Sequence, residues 1–170
     1  GKAGGKDAIN VVNVETGDFE KLDIRLEGIH TVNWAPEGDE IAFVGVTSTQ
    51  SDIWTYNVKT KEARNLTNDI FSDESPSWSA DGKSVYFVSD RNSYTSAEQL
   101  PEDFDIYFHD YSASDIYSVH TSTGAIDRIT NTPGEEVGNP VAHPDGSKLM
   151  YLSNANGISN FYIRDLETST

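Results

Sequence analysis

The stretch Trp78-Ser79-Ala80-Asp81-Gly82 is followed, after one polar pair, by the apolar run Val85-Tyr86-Phe87-Val88. The Asp-Gly pair supplies the positive backbone angles that a tight turn between antiparallel strands needs. The same pattern occurs twice more, as Trp34-Ala35-Pro36-Glu37-Gly38 before Ile41-Ala42-Phe43-Val44 and as Ala142-His143-Pro144-Asp145-Gly146 before Leu149-Met150-Tyr151-Leu152. The chain therefore contains three copies of a repeat in which a turn joins two strands.

Two further strands complete the repeat. The third strands are Asp52-Ile53-Trp54-Thr55-Tyr56, Asp115-Ile116-Tyr117-Ser118-Val119 and Asn160-Phe161-Tyr162-Ile163. The fourth strands are Arg64-Asn65-Leu66-Thr67 and Asp127-Arg128-Ile129-Thr130. The first two tryptophans lie 44 residues apart, which is close to the ~40–50 residues of a propeller blade. The sequence predicts an all-β fold made of β-propeller blades, each with four antiparallel strands.

The repeats divide the chain into pieces of one partial propeller. Residues 1–26 match the third and fourth strands of a preceding blade, and residues 27–67 form a blade. Residues 68–130 form a blade with an insertion at 92–113, and residues 131–170 form a blade that lacks its last strand. Because closed propellers have about four to eight blades, we expect these roughly three to four blades to belong to a longer propeller of about six to eight. Alone, they are expected to expose two blade faces and to associate.

The large aromatic residues of the repeat are expected in the core. Trp34 and Trp78 are predicted to pack between adjacent blades. The second strands are apolar throughout, which is typical of strands buried between two neighbouring sheets. The third repeat has Ala142 at the tryptophan position, and this removes one contact between blades.

The composition narrows the classes of partner. With 28 acids against 12 bases, the net charge is -16, which argues against nucleic acid because its phosphates would be repelled. The acidic excess is compatible either with binding a basic protein partner or with a solvated acidic surface suited to high salt. No apolar run reaches the ~20 residues of a membrane-spanning helix. The chain has no cysteine, which permits a periplasmic location.

The middle repeat carries an insertion between its second and third strands. From the tryptophan position to the third strand, the spacing is 18 residues in the first and third repeats and 37 in the middle one. The 19 extra residues lie within residues 92–113, which contain no lysine or arginine. Loops on a rigid scaffold commonly carry binding residues, and aromatic residues are enriched at protein interfaces. The predicted partner-binding residues are Tyr94, Glu98, Glu102, Asp103, Phe104, Asp105, Tyr107, Phe108, Asp110 and Tyr111.

The alternative interpretation of the insertion is structural. In that case the aromatic side chains fold back over their own blade as an added hairpin, and the acids are merely solvated.

No catalytic constellation is recognisable. There is no Gly-x-Ser-x-Gly, His-Glu-x-x-His or phosphate-binding glycine loop, so we expect neither an enzyme nor a cofactor in this segment. Asp103, Asp105 and Asp110 offer oxygen ligands without the spacing of a calcium loop, and the histidines lack zinc spacing, so no metal site is predicted. His30 and Glu74 stand near the starts of first strands and are predicted to line the central channel.

The chain resembles the TolB-type propeller repeat. The resemblance rests on the Trp-x-x-Asp-Gly turn, the apolar strand after it, Ser89-Asp90-Arg91, and the Asp-Ile-Tyr of the third strand. It covers residues 27 to 170, and residues 7 to 24 more weakly. The pattern departs from the family at Glu37, Ala80 and Ala142, where the repeat has aspartate, proline and tryptophan.

The resemblance implies a non-catalytic protein-binding platform in a bacterial periplasmic or cell-envelope protein. Propellers of the same kind also gate the hydrolase of prolyl-oligopeptidase-family and tricorn-like serine peptidases, which leaves that role open as the alternative, with the catalytic domain outside this chain. A sugar-binding propeller ranks below both, because only the tyrosines support it.

Overall fold

The computed structural model describes residues 2–3, 6–112 and 114–166. Apart from two 3-10 turns, Ala97–Gln99 and Ile106–Phe108, the regular elements are strands. No helix in these ranges is long and apolar enough to cross a membrane. The strands are β1 (Lys2–Ala3), β2 (Lys6–Asp7), β3 (Asn10–Val12), β4 (Phe19–Lys21), β5 (Gly28–Trp34), β6 (Glu40–Val46), β7 (Ser51–Asn57), β8 (Glu62–Asn65), β9 (Asp73–Trp78), β10 (Ser84–Ser89), β11 (Asp115–His120), β12 (Ile126–Arg128), β13 (Val137–Ala142), β14 (Lys148–Ser153) and β15 (Asn160–Asp165).

The sheets are formed by strands that follow one another in the chain and pair antiparallel. Sheet I consists of β5 to β8, sheet II of β9 to β12, and sheet III of β13 to β15. Strands β3 and β4 form a two-stranded ribbon, and β1 pairs with β2. Repeated four-stranded meanders are typical of propeller blades, and the predicted fold class is confirmed. The blade limits stay predictions, and their outermost residues, Gly1 and 167–170, lie outside the described residues, as do Gly4, Gly5 and Ala113.

The repeated turns connect the first and second strands of each sheet. Gly38, Gly82 and Gly146 have φ angles of +76°, +67° and +78°, a left-handed conformation that glycine adopts without a steric penalty. The hairpins therefore reverse direction at the positions that the sequence pattern predicts.

The hydrophobic core lies in layers between successive sheets. Val44 and Ile53 of sheet I pack with Trp78, Phe87 and Tyr117 of sheet II. The core between sheets II and III consists of Val88, Ile116, Val137 and Leu149. The core between the ribbon and sheet I consists of Ile9, Leu22, Ile41, Phe43 and Tyr56. Strands β6 and β10 are buried as predicted for second strands. The prediction is wrong for β14, where Met150 is 39% exposed, because no further sheet covers that face of sheet III in the described chain.

The two repeat tryptophans have different environments. Trp78 is 5% exposed, and its Nε1 donates a hydrogen bond to the carbonyl oxygen of Asn33 at 3.2 Å. The prediction of a packed ring is wrong for Trp34, which is 47% exposed. Trp78 is covered by four-stranded sheet I, whereas on its other side sheet I meets the two-stranded ribbon and the short strand β2 in the described chain. That ribbon packs against Ile41, Phe43 and Tyr56 and leaves Trp34 uncovered.

Each first strand contains a bulge at the same repeat position. The pairing with the second strand shifts at Thr31, Ser75 and Asn139, whose φ angles are +45°, +53° and +49°. A bulge leaves one residue outside the ladder and re-aims its neighbours. His30 and Glu74 therefore lie near the starts of β5 and β9, each directly before a bulge.

Candidate binding site at the insertion

Arg91, at the end of the Ser89-Asp90-Arg91 segment, is a buried charge at the base of the insertion. Its side chain is 1% exposed. The guanidinium donates to Asp69 at 2.8 Å and to Asp73 at 2.7 Å, and its Nε donates to the hydroxyl of Ser89 at 2.9 Å. Asp69 precedes β9 and Asp73 begins it. Arg91 thus connects the end of β10 to the segment that leads into β9 of sheet II.

Three aromatic rings surround this guanidinium. The Arg91 Cζ atom lies 5.5 Å from the ring centre of Phe71, 5.1 Å from that of Phe87 and 5.4 Å from that of Tyr117. At such distances the ring face attracts a cation. Phe87 and Tyr117 belong to the core, whereas Phe71 lies between β8 and β9 and faces the insertion. The contact with Phe71 connects the buried charge to the candidate site.

Burial makes the acids around Arg91 harder to ionise. It raises the pKa of Asp73 to about 7, although Arg91 opposes the shift, and it also raises the pKa of Asp69. Among the described residues, the Oδ2 atom of Asp73 finds no hydrogen-bond partner. Carboxylate oxygens of Asp52, Asp69 and Asp73 approach one another within 4.8 Å and could ligate a cation. Because Arg91 already pairs with two of these acids, the group is best described as a structural ion-pair network.

The insertion packs over Phe71 through three of its rings. The ring centres of Tyr94, Phe104 and His109 lie 6.0, 6.1 and 5.3 Å from that of Phe71. Phe104 also contacts Tyr94 at 5.6 Å and His109 at 5.8 Å. Tyr94 and Phe104 therefore fold back, as the structural interpretation expects. The described part of the insertion is built from turns and is not an added hairpin.

Polar contacts fix both ends of the insertion. The Nε2 of His109 lies 2.6 Å from the carbonyl oxygen of Asp90, and the side-chain amide of Asn92 donates to the carbonyl of Asp110 at 3.2 Å. Burial raises the pKa of Tyr117, so its hydroxyl stays protonated and donates to the carbonyl of Asn92. The insertion therefore leaves and rejoins the sheet at fixed points.

Three other aromatic residues, Tyr107, Phe108 and Tyr111, form what we call the aromatic tip. Tyr107 and Phe108 are each 88% exposed, and Tyr111 is 55% exposed. The Tyr111 hydroxyl donates to the carbonyl of Ile106 at 2.7 Å, and the carboxylate of Asp105 accepts from the Tyr107 N–H at 3.0 Å. The ring of Tyr111 packs edge-on against His109 at 5.1 Å. The tip is therefore exposed, and its backbone and Tyr111 are held by these contacts.

A cleft of about 460 Å³ adjoins the tip between sheets II and III. We call it the acidic cleft; the residues that define it are Glu74, Asp90, Tyr111, Ser112, Glu136 and Asn139. Tyr111 belongs to both the tip and the cleft, so the two form one surface. Burial raises the pKa of Asp90, whose carboxylate accepts a hydrogen bond from the Ser72 N–H at 3.1 Å.

A second groove of about 370 Å³ lies between sheets I and II. It is lined by His30, Thr31, Glu74 and Ser75 among others, and Glu74 and Ser75 also border the acidic cleft. The structure thus brings His30 and Glu74 to the same groove. Their place in a central channel stays a prediction.

The predicted binding residues separate into two groups. Tyr94 and Phe104 are half-buried in the cluster over Phe71, and the others are exposed, namely Glu98, Glu102, Asp103, Asp105, Tyr107, Phe108, Asp110 and Tyr111. Sequence reasoning missed Phe71, Asp90 and Glu136 as neighbours of the insertion. Asp90 could have been found, because it lies in the Ser-Asp-Arg segment directly before the insertion, but nothing in the sequence marks Glu136.

Comparison with known sequences found two relatives and no matching family model. The uncharacterized peptidase YuxL of Bacillus subtilis is 27% identical over 123 residues, which are 69% of this chain and 16% of YuxL. Dipeptidyl-peptidase 5 of Porphyromonas gingivalis is 33% identical over 79 residues, which are 41% of this chain and 12% of that protein. The chain therefore spans only a small part of the length of either relative.

Solved structures with the same fold include propellers of two kinds. A protein of Agrobacterium tumefaciens assigned as TolB has a TM-score of 0.73 at 20% identity, with 98% of this chain and 56% of that chain covered. TolB of Acinetobacter baumannii has a TM-score of 0.68 at 20% identity, with 96% and 36% covered. A puromycin-hydrolyzing peptidase of Mycobacterium tuberculosis has a TM-score of 0.65 at 17% identity, with 91% and 23% covered. At these identities the likeness shows a TolB-like propeller fold.

Proposed function

We propose that this chain is a protein-binding propeller platform that performs no chemistry of its own. The aromatic tip carries the proposal, because Tyr107 and Phe108 are 88% exposed on a segment that is anchored on Phe71 by three other rings. Interface anchors are commonly large aromatic side chains, which bury much apolar area when a partner covers them. The TolB-like fold supports a bacterial cell-envelope protein as the setting.

The rigid support of the tip favours binding. Affinity is reduced by the entropy lost when loops and side chains become ordered on association. Here the Tyr111 hydroxyl bond, the Asp105 carboxylate and the edge-on contact with His109 already order Tyr111 and the backbone of the tip. A partner would therefore meet a surface that needs little rearrangement.

Two of the five serines that line the acidic cleft, Ser89 and Ser114, have hydroxyls that are already engaged in hydrogen bonds. The Ser89 hydroxyl accepts a hydrogen bond from Arg91, and the Ser114 hydroxyl donates to the carbonyl of Val137 at 3.1 Å. A serine nucleophile needs a neighbouring general base to activate it. These two hydroxyls instead complete the hydrogen bonding of the sheets.

The test is an affinity pull-down from a cell-envelope extract with the full-length protein, comparing wild type with the Tyr107→Ser/Phe108→Ser double variant. We expect at least one protein to be captured by the wild type and lost with the double variant. The matched control is Val14→Ser, which removes an apolar side chain that is 94% exposed on a distant turn and should retain capture. Equal capture by all three proteins would overturn the proposal.

A second candidate function is favoured by the two sequence relatives, both of which are named as peptidases. In this case the propeller is the accessory domain of a serine peptidase, and its tip and cleft contact the incoming peptide. The full-length protein should then release chromophore from dipeptidyl or aminoacyl substrates and react with a fluorophosphonate probe. Failure of both assays would leave the binding platform as the function.

A further inference from the structure

The surface formed by the aromatic tip and the acidic cleft carries an excess of negative charge, with His109 and the buried Arg91 as neighbouring bases. Residues 92–112 contain five acids and no lysine or arginine. Glu74, Asp90 and Glu136 line the cleft, and within the described chain no lysine or arginine lines it. The nearby Arg91 is 1% exposed and is already paired with Asp69 and Asp73. The negative charge therefore faces outward.

We propose that this surface binds a basic, extended segment of a protein partner, with apolar side chains on Tyr107 and Phe108 and a lysine or arginine side chain in the acidic cleft. The inference rests on the proposed function and names the partner class for the same site. Charge complementarity selects this occupant, since an acidic segment, a nucleic acid or an anionic lipid surface would be repelled.

Tyr111 joins the two halves of the proposed surface. Its hydroxyl donates a hydrogen bond to the carbonyl of Ile106, next to Tyr107, and Tyr111 lines the cleft together with Glu74 and Asp90. An aromatic face next to carboxylates is a favourable environment for a cation. A partner segment running from the tip across Tyr111 would bring an apolar residue and a basic residue to the two halves at once.

The state of the acids agrees with a cationic occupant. Hydrogen bonds from Ser112 lower the pKa of Asp110, so this exposed acid is charged at neutral pH. Burial raises the pKa of Asp90, and a cation in the cleft would offset this desolvation and favour the charged carboxylate. Binding of a basic side chain should therefore favour the ionised form of Asp90, as the neighbouring His109 and Arg91 already do.

The test measures binding of a fluorescein-labelled Lys/Leu peptide to the full-length protein by anisotropy at low and high NaCl. Two further peptides have the lysines replaced by glutamine or by glutamate. We expect only the lysine peptide to bind appreciably. Glu74→Gln/Glu136→Gln should weaken its binding by about tenfold and reduce the salt dependence of that binding.

Tyr107→Ser/Phe108→Ser should weaken binding of the lysine peptide while leaving the salt dependence intact. The control Glu37→Gln/Glu62→Gln removes two exposed acids outside the surface and should change neither quantity.

The inference is overturned if the glutamine or glutamate peptide binds as well as the lysine peptide, or if Glu74→Gln/Glu136→Gln binds like the control. Failure of the inference is distinguishable from failure of the proposed function. A partner from the envelope extract that depends on Tyr107 and Phe108, but neither on Glu74 and Glu136 nor on salt, would retain the function and exclude the basic segment. Capture that depends on neither pair would exclude both.

Discussion

Arg91 is the largest fully buried side chain among the described residues. It has two carboxylate partners, one hydroxyl partner and three aromatic neighbours, and it is 1% exposed. A buried charge costs several kcal/mol of desolvation unless its partners are well placed. Its contact with Phe71 extends this constraint to the insertion.

The first prediction concerns the loss of this charge. Arg91→Met keeps a long apolar side chain but leaves Asp69 and Asp73 without their cation, so the free energy of unfolding should fall by about 3–5 kcal/mol. Urea denaturation measures the change. Arg64→Met, at an exposed position of β8, should stay within about 0.5 kcal/mol of wild type. Similar effects of the two substitutions would contradict the structural role of Arg91.

The second prediction concerns the pH dependence that Asp73 causes. Burial raises its pKa from 3.8 to about 7, so between these values the folded protein holds a proton that the unfolded chain releases. Stability should therefore fall as pH rises through this range, by up to about 1.4 kcal/mol per pH unit from this group. Asp73→Asn cannot titrate and should reduce the slope of unfolding free energy between pH 5 and pH 7. Identical slopes would show that Asp73 has an ordinary pKa in the folded state.

The strands and the insertion differ in how far the sequence predicts them. Strand periodicity and the glycine turns predict the meanders, because turn chemistry and apolar runs are local properties. The packing of Tyr94 and Phe104 on Phe71 depends on a contact with the β8–β9 connection, which no local pattern of the insertion reveals. Composition therefore predicts an aromatic, acidic segment but cannot tell its packed rings from its exposed ones.

The third prediction separates these two groups of rings. Phe104→Ala removes a ring that contacts Phe71, Tyr94 and His109, so the melting temperature should fall, by an amount corresponding to about 1–3 kcal/mol for a half-buried aromatic side chain. Phe108→Ala removes a ring that is 88% exposed and should leave the melting temperature unchanged. Calorimetry on both variants measures the difference, and equal melting temperatures would mean that the insertion is not anchored through Phe104.

The layers of the molecule explain why Trp34 and the outer face of β14 are exposed although the repeat predicts them in the core. In two layers a whole sheet covers the next, and the residues at the contact are buried. Trp34 shares its repeat position with Trp78 but faces the two-stranded ribbon instead of a whole sheet. A repeat pattern predicts which residues point toward a neighbouring blade, but burial also requires that the neighbour be complete at that place.

The same reasoning predicts how the 170-residue chain behaves in solution. Leu149 of sheet III is buried against sheet II, while the opposite face of sheet III presents Val141 and Ile163, which are 49% and 68% exposed. The equivalent faces of sheets I and II are covered by the following sheet, so molecules should associate through this apolar face at high concentration.

We expect sedimentation velocity to show concentration-dependent association of the wild type. Val141→Lys/Ile163→Lys should shift the chain to monomer without lowering its melting temperature, since both side chains point away from the core. Ile158→Lys, at a turn residue that is also 68% exposed, should leave the association unchanged, and a wild type that is monomeric at every concentration would show that the open face is not adhesive.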